Sequence, residues 1–309
     1  MIYVSFFIGL LLICKGGDWF VDAASNMAKA LGIPKYIVGA TVVSLATTMP
    51  EIIVSVSAAM RGSAVMAAGN AVGSVSANTG LILGLSLFCL PGVIPKKEYR
   101  PKNLMYIGCV LLLLMTFFDR VFDRTDSMFM LAAGMLFVFL NIKNARRSQR
   151  ETEGGWNKRE GVLWVFFFLF GAVCIVVGAE LLIDASCALA RQFHISEEII
   201  SVTIVAMGTS LPEFITTITA ILKRESSLSV GNIIGANVID VAFILPICTL
   251  FTGRSLPVAE QMASADAPVC FLLALTALLP MTIRGKIKRM DGFFTMTVYA
   301  CYLILIMKG

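Results

Sequence analysis

The sequence predicts an all-α membrane protein with ten transmembrane helices, arranged as two inverted five-helix repeats with both termini outside the cell. Three observations carry this expectation. Of 309 residues, 58% are hydrophobic and 15% charged, with a mean hydropathy of +0.85. A soluble chain carries about 45–50% apolar and about 25% charged residues. Apolar runs of about 20 residues, each long enough to cross a bilayer as a helix, recur along the chain. The second half repeats the first. This composition excludes a soluble enzyme, a disordered chain and a nucleic-acid binder.

Taken in order, the spans are expected at about 2–30, 35–61, 64–91, 102–118, 126–142, 161–190, 196–222, 227–252, 267–281 and 290–307. Charge interrupts the first and sixth. The chain is apolar from Met1 and its first cation is Lys15. With no basic region ahead of it, the first span reads as a retained helix and not as a cleaved signal. One clearly hydrophilic linker, 143–160, separates residues 1–142 from 161–309. It is too short to hold a folded regulatory domain. The eight cysteines lie inside apolar stretches without a CxxC pair and read as small apolar fillers. His194, beside Ser196-Glu197-Glu198, reads as a surface residue ahead of a helix cap.

The loops are asymmetric in charge. The set joining spans 1–2, 3–4, 5–6, 7–8 and 9–10 holds 18 Lys and Arg residues, against 6 on the opposite side. The positive-inside bias puts the linker in the cytoplasm and both termini outside.

Sliding the chain by 162 residues aligns 1–85 with 163–247 without a gap. Gly16, Asp22 and Ala23 match Gly178, Asp184 and Ala185. Thr41, Val43, Thr47, Pro50 and Glu51 match Thr203, Val205, Thr209, Pro212 and Glu213. Gly69, Asn70 and Gly73 match Gly231, Asn232 and Gly235. Five spans per half is an odd number, so the second copy enters from the opposite face. Inverted repeats with interrupted helices build many secondary transporters, with the substrate near the midplane.

Two segments carry the chemistry: Ala46-Thr47-Thr48-Met49-Pro50-Glu51 and Gly208-Thr209-Ser210-Leu211-Pro212-Glu213. Each puts a carboxylate about 24–25 Å into its span at 1.5 Å per residue, approached from opposite sides. A carboxylate at that depth costs several kcal/mol unless it is paired or coordinated, so it marks a functional site. Pro50 cannot donate to the Ala46 carbonyl, nor Pro212 to that of Gly208. Unwound backbone at membrane depth is tolerated where it lines a cavity or binds an ion. Ser44, Thr48 and Glu51 share a helical face at i, i+4 and i+7, with Thr47 nearby. Thr209 and Ser210 flank the face of Glu213. Back-bonding of Ser and Thr inside a kinked helix explains the hydroxyls but not the glutamates.

Gly69-Asn70-Ala71-Val72-Gly73-Ser74 leads to Asn78, and Gly231-Asn232-Ile233-Ile234-Gly235-Ala236 leads to the equivalent Asp240. The small residues alone are equally explained by close helix packing; a mid-span acid beside them is not. The inventory is oxygen only, which suits hard cations such as Ca2+ and Na+ over zinc or copper.

The twin (A/G)T(T/S)(M/L)PE segments, each followed by GNxxG in the next span, resemble the two alpha repeats of the calcium/cation antiporter superfamily, and most of all its prokaryotic sodium/calcium exchanger branch. The resemblance is strongest at 39–85 and 201–247. It implies ten helices with both termini outside and a central group of four ion sites. By motif position, Glu51, Glu213, Asn78 and Asp240 would be the main ligands. Thr47, Thr48, Thr209, Ser210 and Ser74, with the backbone of Ser44 and Ala206, would complete the sodium sites. Four departures stand out. Ala46 and Thr48 replace the usual glycine and serine, Ala236 stands where serine is usual, and Val75 where asparagine is common. Without a hydroxyl at 236, one ligand is missing from a sodium site.

The expected activity is exchange of Ca2+ for Na+ by alternating access, electrogenic if three Na+ replace one Ca2+. Ca2+ and Na+ are the transported partners, the bilayer is the surrounding one, and no cofactor or catalytic residue is expected. Proton coupling is the first alternative and a passive channel the second. The YD and GxGD pair of an intramembrane aspartyl protease is absent from the sequence. Asp18, Asp22, Glu180 and Asp184 occupy matched places in spans 1 and 6, which resemble the family's sliding pair. Two readings of these acids stand: they line the ion path, or they pair with Lys15 and helix ends.

Overall fold

The computed structural model describes residues 2–93, 96–151, 158–192 and 208–306, and these are almost entirely helical. The helices are α1 (Ile2–Leu31), α2 (Lys35–Thr47), α3 (Met49–Met60), α4 (Ala64–Cys89), α5 (Lys96–Thr116), α6 (Arg124–Glu151), α7 (Lys158–Gln192), α8 (Leu211–Leu222), α9 (Ser226–Thr252), α10 (Met262–Arg284) and α11 (Arg289–Ile306). Seven of them, α1, α4, α6, α7, α9, α10 and α11, are long and apolar enough to cross a membrane. α2 and α3, bent by 45° at Thr48, are long and apolar enough only when taken together.

Two expected spans do not meet that standard among the described residues. α5 opens on Lys96-Lys97-Glu98-Tyr99-Arg100-Pro101-Lys102, so its apolar part is short. α8 is the second half of the seventh expected span, and residues 196–207 lie outside the described residues, as does His194. Helix runs into the hydrophilic linker from both sides. α6 continues to Glu151 and α7 begins at Lys158, so most of 143–160 is helical. Lys, Arg, Gln and Ala are strong helix formers, and charge ends a membrane span without ending a helix.

The chain forms two compact units, each drawing on both halves of the sequence: Met1–Pro50 with Lys143–Asn232, and Glu51–Ile142 with Ile233–Gly309.

In the first unit α1 and α7 pack lengthwise and antiparallel. Gly9 faces Gly178 and Gly16 faces Gly171, and these contacts exchange under the 162-residue offset. A Cβ on Gly9 would meet the Gly178 carbonyl at 2.9 Å, and one on Gly171 would meet that of Gly16 at 2.8 Å. Lipid is as apolar as leucine, so close backbone approach at small residues is what holds helices together there. Phe20 stacks on Phe168 at 4.4 Å beside Val21, Ala24, Ile175 and Ala220. The opposite face of α7 leaves Val162, Phe166, Leu169, Val173 and Val177 exposed, a helical stripe suited to acyl chains.

The α8–α9 turn is tied to α1. Lys223 Nζ lies 2.7 Å from Asp22 and 3.4 Å from Asp18, and donates to the Asp18 carbonyl at 3.2 Å. Lys35 pairs with Glu225 at 2.5 Å, and Ser25 donates to the same carboxylate at 3.0 Å. Among the described residues the first-span acids Asp18 and Asp22 pair with Lys223 and not with Lys15.

In the second unit α4 belongs to the interior. The apolar stretches of α4 and α9 are 72% and 83% buried, against 22% for α11 and 28% for α6. These two are the repeat-matched spans that carry Asn78 and Asp240. Gly84 of α4 and Gly292 of α11 face each other closely. Two short antiparallel ladders, Gly92–Val93 with Lys286–Ile287 and Val121–Phe122 with Leu256–Pro257, join the loops.

Adding a methyl group separates the close-packed glycines from the open ones. Gly9→Ala and Gly171→Ala should each destabilise by about 1–3 kcal/mol through overpacking. Gly108→Ala in α5, where a Cβ meets nothing within 4 Å, should be neutral or stabilising. Thermal unfolding of the purified protein in detergent checks all three.

Candidate functional site

Residues 44–51 fold as their chemistry requires. With no Pro50 N–H, the helix lets go at Thr48, whose φ of −86° and ψ of −3° lie in the sparsely populated bridge region. The equivalent Ser210 sits at φ −82° and ψ 4°. Pro212 then takes the first turn of α8, where its missing N–H costs nothing. The Gly208 carbonyl, expected to be freed, takes the Leu211 N–H at 3.2 Å. The breaks put Glu51 and Glu213 into the first turns of α3 and α8. Helix N-termini carry partial positive charge, so both carboxylates sit where a helix stabilises them.

Within the first unit Glu213 is wholly buried and its Oε1 accepts from Thr48 Oγ1 at 3.0 Å. Its Oε2 accepts nothing among the described residues. Thr47 Oγ1 is shared between the Ser44 carbonyl at 3.3 Å and Asn232 Oδ1 at 3.4 Å. The Ser44 carbonyl also takes the Thr48 N–H at 2.9 Å, and the Ser44 hydroxyl donates back to Thr41 at 3.0 Å. Back-bonding thus accounts for Ser44 and in part for Thr47, but not for Thr48. Ser210 Oγ is buried without a hydrogen bond among the described residues, and Thr209 is half-buried. Ala206 lies outside the described residues.

Within the second unit Glu51, Asn78 and Asp240 are wholly buried and Ser74 nearly so. Asn70 Nδ2 donates to Ser55 Oγ at 2.9 Å and reaches the Glu51 carbonyl at 3.4 Å, bracing α4 against the first turn of α3. Asn78 opens a π-helical turn (Asn78–Leu83), and Asp240 opens the matched one (Asp240–Ile244). Such wide turns release backbone groups from regular pairing and recur at functional sites. Neither amide atom of Asn78 has a hydrogen-bond partner among the described residues. Ser74 stands one helical turn before Asn78, and the buried Ala236 one turn before Asp240.

Among the described residues no three His, Cys, Asp or Glu side chains form one metal-holding group. The donors available in each unit are carboxylate, amide, hydroxyl and carbonyl oxygens, the set that hard cations take. Sequence reasoning missed the bracing role of Asn70 and the contact of Thr47 with Asn232. The pairing of these asparagines in the GNxxG motifs was their one visible signal.

The family model described as "Sodium/calcium exchanger protein" matches residues 1–143 and 163–308. The chain belongs to this family. It is a multi-pass cation antiporter of the membrane and not an enzyme. Inner membrane protein YrbG of Escherichia coli K12 is 34% identical over 278 residues, covering 87% of this chain and 85% of its own. Sodium/calcium exchanger MaX1 of Methanosarcina acetivorans is 29% identical, covering 99% of each. A solved structure of the sodium-calcium exchanger NCX_Mj, soaked with Na+ and Sr2+, superposes with a TM-score of 0.86 at 28% identity, covering 98% of this chain and 99% of that one.

Thr48→Val removes the donor to Glu213 and should cost about 1–3 kcal/mol of stability, because a buried acceptor loses its partner. Thr48→Ser should restore it. Melting temperatures of the three proteins in cation-free buffer check this.

Proposed function

We propose that this antiporter exchanges Ca2+ for Na+ across a prokaryotic inner membrane by alternating access. The observation that carries the reading is Glu213, a buried carboxyl with one oxygen held by Thr48 and the other accepting no hydrogen bond among the described residues. Such a group is costly in an apolar medium unless a cation compensates it. The names of MaX1 and NCX_Mj point to sodium and calcium as the ions, and that of YrbG to the inner membrane.

The proposed architecture is ten helices in two inverted repeats, 1–142 and 161–309, with both termini outside and 143–160 in the cytoplasm. Support comes from α1 and α7, equivalent helices that run antiparallel with exchanged glycine contacts. The matched geometry of Thr48 and Ser210 supports it from a second place. Glu51, Glu213, Asn78 and Asp240 hold the calcium ion. Thr47, Thr48, Thr209, Ser210 and Ser74, with the carbonyls of Ser44 and Ala206, complete the sodium sites. The Ser44 carbonyl would have to release Thr47 to serve. No cofactor takes part.

Exchange follows from mutual exclusion. Two ionised glutamates are balanced by one Ca2+ or by several Na+, but the same oxygens cannot serve both at once. An empty cavity is the costly state, so the ion-free protein does not readily change sides. If three Na+ replace one Ca2+, one net charge crosses per cycle and contributes about 2.3 kcal/mol per 100 mV.

One observation favours a second reading, proton coupling: Ala236, wholly buried, offers no hydroxyl where Ser74 does in the other half.

Proteoliposomes test both. A sodium gradient should drive calcium uptake in the wild type, and Glu51→Gln or Glu213→Gln should reduce it at least a hundredfold. Uptake driven by a pH gradient and indifferent to sodium would favour the second reading. Asp240→Asn should leave uptake largely intact, since its counterpart Asn78 is already an amide. Ala236→Ser should lower the half-saturating sodium concentration.

A further inference from the structure

A closed hydrogen-bond triangle lies beside the π-helical turns that Asn78 and Asp240 open in the second unit. Tyr106 of α5 is wholly buried, and its hydroxyl lies 2.6 Å from Thr79 Oγ1. Asn237 Nδ2 donates to Thr79 Oγ1 at 2.9 Å and to the Tyr106 hydroxyl at 3.1 Å. Thr79 and Asn237 are themselves at most 1% exposed.

Each corner is placed next to a proposed ligand. Thr79 is the second residue of the turn that Asn78 opens. Asn237 precedes Asp240 by three residues, almost one helical turn. One amide nitrogen supplies two protons, and the two hydroxyls accept them and share a third. A phenol from a third helix thereby fixes the spacing of α4 and α9 at the level of Asn78 and Asp240.

Packing alone does not require this polarity. Under the 162-residue offset Thr79 corresponds to Val241 and Asn237 to Val75. Both valines are buried, at 1% and 0% exposure. The repeat thus fills the matching positions of its other half with hydrocarbon, and the triangle exists on one side only.

We propose that Tyr106 is a positioning residue of the ion site, holding Asn78 and Asp240 at the separation a bound cation needs through Thr79 and Asn237. This rests on the ion-site reading above. Tyr106 touches no ion itself. Outer partners of this kind typically change metal affinity by about 10–100-fold when removed.

The test uses the full-length purified protein in detergent, with melting followed while calcium chloride is titrated at low sodium. Tyr106→Phe should raise the half-protecting calcium concentration about tenfold. Thr79→Val should do the same, and the double variant should do no more than either single one, because all three break one bridge. Thr79→Ser keeps a hydroxyl and should stay close to wild type, and it carries the comparison if Tyr106→Phe does not fold. A merely structural role would lower the cation-free melting temperature and leave the half-protecting concentration unchanged; that result overturns the proposal, as would full additivity of the two single variants. The wild type is the control for the function itself. If calcium gives no protection while sodium does, the calcium reading fails, and the same ratios, read with sodium, still decide the role of Tyr106.

Discussion

A carboxylate in a slab of hydrocarbon is the constraint on which the remaining structure depends. Glu51 and Glu213 are wholly buried, and the span of Glu51 turns Val42, Leu45, Met49 and Ile53 outward. Water cannot hydrate them there, so the chain supplies substitutes. Each glutamate begins a helix, with the partial positive charge of that helix end behind it. A hydroxyl from Thr48 meets Glu213 directly. The proline breaks provide the helix ends at membrane depth, and the breaks leave Thr48 and Ser210 in the same non-helical conformation. Motif, break, dipole and hydroxyl answer one electrostatic problem.

Much of this was legible in the residues. Pro50 and Pro212 announce the breaks because a missing N–H acts locally, whatever the tertiary context. The repeat announces equivalent roles, since a 162-residue offset puts like residues in like places. Three things were not legible, each for a physical reason. The π-helical turns at Asn78 and Asp240 shift hydrogen bonds by one residue, and no side-chain pattern records that shift. The pairing of Asp18 and Asp22 with Lys223 joins residues some 200 apart, where spacing carries no information; Lys15 was merely the nearest cation in sequence. Tyr106 sits in α5, whose first turns are charged and whose sequence lies beyond the aligned part of the repeat.

The helix ends of the hydrophilic linker teach a related lesson. Hydropathy marks where the bilayer stops, while helix propensity marks where a helix stops, and the two boundaries need not coincide. Lys143 to Glu151 leave the apolar run but keep the helix, because their long side chains lose little freedom on a helical backbone.

On the proposed reading, the agreement of the two halves serves the scaffold and their differences serve the ions. Where the halves agree, as at Gly9 and Gly171, Thr47 and Thr209, or Glu51 and Glu213, the residue meets a need shared by both: close approach, a break, a charge. Where they differ at Ser74 and Ala236, Thr79 and Val241, or Val75 and Asn237, a polar group stands on one side only, and at Asn78 and Asp240 an amide stands opposite an acid. Every one of these differing pairs lies in α4 and α9, the two most buried spans. A buried polar group is costly without a partner, so it persists on one side only if that side gives it work. Two strictly equivalent sites would present cations with identical choices. On the proposed reading, a pair of interior helices that differ at four such positions would hold ions of different charge and number on one frame.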